Sequence, residues 1–219
     1  MGVTTGRRVG RPRAVPRAES GLTVREELLH SAAGLFTTRG YAATTTRAVA
    51  EGAGMRQATI YHYFPAKEDL LAELLESTVA PSWGLACRLL GEVERPAEDR
   101  LRELCRADVR LLCQGPHDLG ALYLLPEVQT ERLAEFRRVR AELKRAYGRL
   151  LAATRAGSSL DAAERALRTD MVFGLVEGVI LIHRTDRDRP LDAFADAVAR
   201  AALRIVGVAD EEWGAERRP

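Results

Sequence analysis

Apolar residues recur with a helical period along most of this chain. Val24, Leu28, Ala32, Leu35 and Phe36 fall on one face of an amphipathic segment from Thr23 to Arg39. Thr23 and Glu26 have the spacing of a capping box, and Gly40 is a natural stop. Thr44-Thr45-Thr46 offers the next N-cap, leading into a short helix from Arg47 to Gly52 with Val49 and Ala50 inward. Gly54 marks a tight turn before a third helix, Gln57 to Phe64. There Ile60 and Phe64 share the buried face, while Gln57/Tyr61 and Ala58/His62 project on others. Pro65 ends this helix, and Glu68 and Asp69 suit the first turn of the next. Two short helices joined by a glycine turn and braced by a longer one predict a helix-turn-helix.

The remaining pattern is also helical and longer. Helices are expected from Lys67 to about Glu94, with a bend near Pro81, and from Pro96 to Cys113. After a break at Gly115-Pro116 come a short segment, Asp118 to Leu125, and a long charged helix, Glu127 to Arg155. Ser158, Ser159 and Asp161 open a helix to about His183, and Pro190 opens the last, to about Val206. No strand pattern or internal repeat competes. The expected fold is all-α, an N-terminal three-helix helix-turn-helix domain followed by a C-terminal helical domain.

From Met171 to Ile182 the apolar residues occupy all sides, and Leu191, Phe194, Val198, Ala202, Leu203 and Ile205 form a broad apolar face. Gly174 and Gly178 permit close approach of a neighbouring backbone. Two readings stand open: burial within one subunit, or a four-helix bundle formed with a second copy. Glu177, inside the apolar run, is expected to be a paired structural carboxylate, with a ligand contact as the alternative.

Composition sharpens this picture in three ways. The 219 residues are 46% hydrophobic and 29% charged, which suits a folded soluble chain rather than a disordered one. The net charge of +2 is unevenly spread: residues 1–70 carry ten Lys/Arg and six Asp/Glu, residues 71–219 twenty-three and twenty-five. Arg7, Arg8, Arg11, Arg13 and Arg17 make residues 1–21 a basic arm, suited to a nucleic-acid backbone or serving only as a solubilising tail. Within it, Gly10-Arg11-Pro12-Arg13 is like the core of an AT-hook, whose arginines enter a narrow minor groove.

No apolar run approaches the roughly 20 residues needed to span a bilayer, and the arginine-rich start has no apolar h-region. Three cysteines without a CxxC pair point to reduced thiols and a cytoplasmic setting. His30, His117 and His183 share no metal-ligand spacing. With no Gly-rich phosphate loop, GxSxG elbow or HExxH, an enzyme is not expected, nor are catalytic residues, a metal site or a cofactor.

Three segments then resemble a known family. Leu28 to Phe36 with Arg39-Gly40-Tyr41, Thr45 to Met55, and above all Thr59-Ile60-Tyr61-His62-Tyr63-Phe64-Pro65-Ala66-Lys67-Glu68-Asp69-Leu70 closely resemble the tetracycline-repressor (TetR) family of transcriptional regulators. The resemblance covers about residues 22–82. It implies a homodimer whose third helix enters the major groove of double-stranded DNA at each half of a palindromic operator. Carried over by position, Thr45 caps the second helix and Thr46 touches a phosphate. Arg56, Gln57, Ala58 and Thr59 lie where base edges are read, Tyr61 and His62 face backbone or base, and Lys67 meets a phosphate.

Gln57 suits adenine and Arg56 guanine, each pairing worth roughly 1–3 kcal/mol of discrimination. Two departures matter. The family usually has a small hydroxyl residue, a lysine and a glycine where Arg56, Gln57 and Ala58 stand. Ala66 replaces a usual serine cap, so Lys67 is expected to be held less firmly. By resemblance, residues 83–207 hold a pocket for a small-molecule effector and the dimer interface, with a tail over 208–219. Trp83, Leu111, Leu112, Tyr123, Phe136, Tyr147 and Phe173 are candidates to line that pocket or to be plain core. The expected function is a ligand-responsive repressor. A helical dimeric adaptor or architectural DNA-binding protein is the alternative.

Overall fold

Local signals begin and end most of the helices where the pattern places them. In the computed structural model, which describes residues 21–209, Thr23 caps α1 (Val24–Thr38) through a reciprocal capping box with Glu26. Thr45 caps α2 (Thr46–Gly52) by accepting from the Ala48 N–H at 3.1 Å. The link to α3 (Gln57–Tyr63) turns at Gly54, whose φ of +67° is left-handed and favours glycine. Phe64 leaves the helix in an extended conformation, as the residue before Pro65 must. The basic arm expected over 1–21, with its Gly10–Arg13 segment, and nearly all of the tail expected over 208–219 lie outside the described residues.

The next helices are α4 (Lys67–Gly91), which contains Pro81 without interruption, and α5 (Ala97–Cys113). They are followed by α6 (Ala134–Ala153), α7 (Arg155–Ser158), α8 (Ala162–Glu177), α9 (Val179–His183) and α10 (Leu191–Val206). Among the described residues there is no strand, and no helix is long and apolar enough to cross a membrane.

Two expected long helices are broken. The one expected from Glu127 begins only at Ala134, after three 3-10 turns spanning Leu119–Leu124, Pro126–Gln129 and Glu131–Leu133. The Thr130 hydroxyl donates to the Glu127 carbonyl at 2.8 Å, and Thr130 itself is extended, so side chain and backbone both oppose an α-helix there. The helix expected to run to His183 is interrupted at Gly178, which ends α8 and precedes α9.

The buried side chains form two clusters. Leu28, Phe36, Val49, Ile60, Phe64 and Leu70 join α1, α2, α3 and the start of α4. The larger cluster packs α5, α6, α8 and α10 around Leu104, Tyr147, Leu150, Phe173 and Val198. The first half of α4 belongs to one cluster and its second half, at Ala86 and Leu89, to the other. Leu122, Val128, Leu133 and Phe136, from the 3-10 segment and the start of α6, pack into the first cluster. That segment therefore wedges between the two halves and touches both.

Candidate functional site

The exposed face of α2 and α3 carries polar groups braced against one another. Thr46 Oγ1 and the Tyr61 hydroxyl share a hydrogen bond of 3.2 Å, and Gln57 Nε2 donates to the same hydroxyl at 3.4 Å. These contacts, first from Thr46 and then from Gln57, hold the Tyr61 phenol below its usual pKa. Ile60 behind them is fully buried and Phe64 nearly so. Arg56, at the N-cap of α3, makes no side-chain cap bond and is exposed, as are Thr45, Gln57, Ala58 and His62; Thr59 is half-buried. Tyr63 is 42% exposed although it stands only three residues from the buried Ile60.

Lys67 is held more firmly than its missing serine cap suggests. Its Nζ donates to the carbonyls of Tyr41 at 2.9 Å and Thr44 at 3.1 Å, and lies 4.0 Å from the centre of the Tyr41 ring. An ammonium has three donors, so one remains for an outside acceptor. The cap itself is replaced: Asp69 accepts from the Ala66 N–H at 2.8 Å and pairs with Arg132 of the 3-10 segment.

The second half contains a cavity of about 440 Å³ between the 3-10 segment, α6 and the α8–α9 junction. Of the seven candidates from the sequence, Tyr123 and Phe136 line it. Leu112, Tyr147 and Phe173 are buried core, Trp83 packs against both clusters, and Leu111 lines a separate shallow groove beside α5. Arg137, Arg140 and Glu177 line the cavity and were not foreseen as a group. Glu177 is the paired carboxylate its apolar surroundings demand: Arg140 grips it through Nε and Nη2. The residue was visible in the sequence, but its partner lies on another helix.

Two further contacts tie this half to the helix-turn-helix. Tyr123, from the cavity wall, shares a hydrogen bond of 2.6 Å with Thr78 of α4. His117 reaches α1, where its ring lies 4.9 Å from that of His30 and rests on Gly34; a Cβ there would come to 3.1 Å from His117 Cε1. Burial, then the neighbouring His30 and Arg187, lower the His117 pKa, while Asp118 opposes them. Arg187 in turn holds both Asp118 oxygens at 2.8 Å.

Comparison with known proteins agrees with this geometry. The sequence pattern of "Bacterial regulatory proteins, tetR family" matches residues 28–74, from α1 into α4. The chain is also similar to the HTH-type transcriptional repressor KstR2 of Mycobacterium tuberculosis, 49% identical over a stretch of 51 residues. That stretch is 23% of this chain and 26% of the repressor, so the chain matches only about a quarter of that relative's length. The crystal structure of Mycobacterium smegmatis AmtR is similar over most of the fold, with 44% identity and a TM-score of 0.79, covering 87% of this chain and 89% of that one. The fold alone is shared with AibR, solved with isovaleryl coenzyme A and operator DNA, at 18% identity and a TM-score of 0.65 over 82% of this chain and 97% of that one. A helix-turn-helix with this polar face, this family pattern across it and this extent of likeness to a solved relative leave one assignment: the chain belongs to the TetR family of bacterial regulatory proteins.

Proposed function

We propose that the chain is a ligand-responsive transcriptional repressor that binds a palindromic operator in double-stranded DNA as a homodimer. The observation that carries this is the polar face formed by Thr46, Gln57 and Tyr61 over a buried Ile60 and Phe64, with Arg56, Ala58, Thr59 and His62 beside it. In this reading residues 22–82 are the DNA-binding domain and residues 83–207 the regulatory and dimerisation domain. Thr45 caps α2, Thr46 and the third donor of Lys67 meet phosphates, and α3 enters the major groove. There Arg56, Gln57, Ala58 and Thr59 face base edges, with Tyr61 and His62 beside them. The basic arm adds phosphate contacts.

The second copy docks on the apolar face that α8 and α9 leave open. Leu167, Met171, Leu181 and Ile182 are each between 43% and 54% exposed, and Gly174 has open space beside it. Exposed apolar rows of this kind suit a helical interface between copies. An effector in the cavity acts through Tyr123, whose bond to Thr78 passes any displacement to α4 and so to Lys67 and the α1–α2 link. Ligand and operator then weaken each other by the same coupling free energy.

Selection of bound duplexes from a random library at about physiological salt tests the reading. Enrichment of an inverted repeat is expected, and Gln57→Ala relaxes preference at one base pair in each half. Recovery of A·T-rich or unselected DNA overturns it in favour of an architectural role. Leu181→Asp, in the open apolar face, is expected to yield monomers by light scattering; an unchanged dimer moves the interface elsewhere.

A further inference from the structure

We infer that the cavity between the 3-10 segment, α6 and the α8–α9 junction takes a ligand with an apolar body and a single negative charge, such as a medium-length carboxylate, whose head binds Arg137. This rests on the reading of the second half as the effector domain, and deepens it by naming the chemical class.

The cavity's volume, about 440 Å³, falls within the roughly 300–1,000 Å³ of small-molecule sites. Most of its wall is apolar: Tyr123, Leu124, Val128, Phe136, Ile180 and Leu181. Its ionisable lining residues in the carboxylate and guanidinium range are Arg137, Arg140 and Glu177. Arg140 and Glu177 neutralise each other through a two-pronged contact, and the Arg140 guanidinium also lies 5.4 Å from the Phe173 ring centre. That pair is closed on itself and offers a ligand little.

Arg137 differs. Its Nη1 donates to the carbonyls of Val128 at 2.6 Å and Thr130 at 2.5 Å, which fix the orientation of the guanidinium without neutralising it. Among the described residues it forms no ion pair with a carboxylate; its partners are the two carbonyls. A guanidinium carries five N–H donors in a rigid fork, so three remain, including the Nε–Nη2 edge that receives a carboxylate in two parallel bonds. The lining thus carries one uncompensated positive charge beside an apolar wall. A cation is repelled by it, and a neutral molecule of the same body leaves it unpaired.

The test is calorimetry on the full chain with three probes that share one body: octanoate, octanol and octylammonium. Octanoate is expected to bind about tenfold tighter than octanol, the scale of a hydrogen bond to a charged group, with octylammonium weakest. Arg137→Gln brings octanoate down to the level of octanol while octanol binding persists, which shows the cavity intact. If that variant loses all binding, Arg137→Lys decides: retained preference for octanoate supports the assignment, and its loss overturns it. Equal binding of octanoate and octanol, tightest binding of octylammonium, no binding of any probe, or full preference in Arg137→Gln also overturns it. Operator release is measured separately. Arg137-dependent octanoate binding that leaves operator affinity unchanged keeps this site and refutes the effector reading. Release by octanol alone does the reverse.

Discussion

Asp108 is the sharpest stability test in this fold. It lies on α5 in the core of the larger cluster, 4% exposed, and accepts a hydrogen bond from the Tyr147 hydroxyl at 2.6 Å. Burial pushes its carboxyl up from 3.8 to about 6; hydrogen bonds from Ser82 and Tyr147 pull the other way, and Glu177 adds a further upward push. A carboxyl whose folded pKa is raised binds more protons folded than unfolded. Its contribution is therefore fully present below pH 3.8 and lost as pH rises through about 6. At about 1.4 kcal/mol per pH unit the whole loss is about 3 kcal/mol, of which about 2 kcal/mol falls between about pH 4.5 and 7.5.

Asp108→Asn keeps the shape and an acceptor for Tyr147 but cannot ionise. Urea unfolding of both proteins at the same fixed concentration, across that range, isolates the Asp108 contribution, because all other titrations are common to both. The variant's stability relative to the native chain should climb by about 2 kcal/mol from the acid end to neutrality and level off above about pH 6.5. Its absolute offset depends on how the new amide N–H is satisfied; the climb does not. A gap that stays constant with pH, or narrows toward neutrality, refutes the argument.

Other consequences follow from single contacts. Gly54→Ala places a Cβ in open space but on a left-handed backbone of φ +67°. It should cost about 1–2 kcal/mol by urea unfolding, and an unchanged midpoint would show that the turn relaxes. His117 behaves oppositely to Asp108. Its lowered pKa means that the folded state binds fewer protons, so stability is lost as pH falls below the usual 6.5 toward the folded value. With His30, Arg187 and Asp118 as its charged neighbours, His117→Asn should flatten that acid-side loss, and parallel profiles would dismiss the contact as a source of it.

Much of the first half was legible because its signals are local. A capping box needs two residues three apart, a left-handed turn needs one glycine, and Pro65 extends its neighbour whatever surrounds it. Hydrophobic period likewise marked Leu28, Phe36, Ile60 and Phe64 as facing inward, and all four are buried in one cluster. The same logic failed where local forces compete evenly. Thr130 and Gly178 broke helices that periodicity alone carried through.

What the sequence determined by itself, then, is the all-α class and the helix-turn-helix with its family, since those follow from spacing within a few residues. Tertiary structure alone decided which distant groups meet. Lys67 is tethered to Tyr41 and Thr44, Arg140 closes on Glu177 and leaves Arg137 as the cavity's uncompensated charge, and His117 lands on His30. Each depends on how helices remote along the chain pack and exclude water. Burial and charge pairing are properties of that packing, and no spacing in the sequence encodes them.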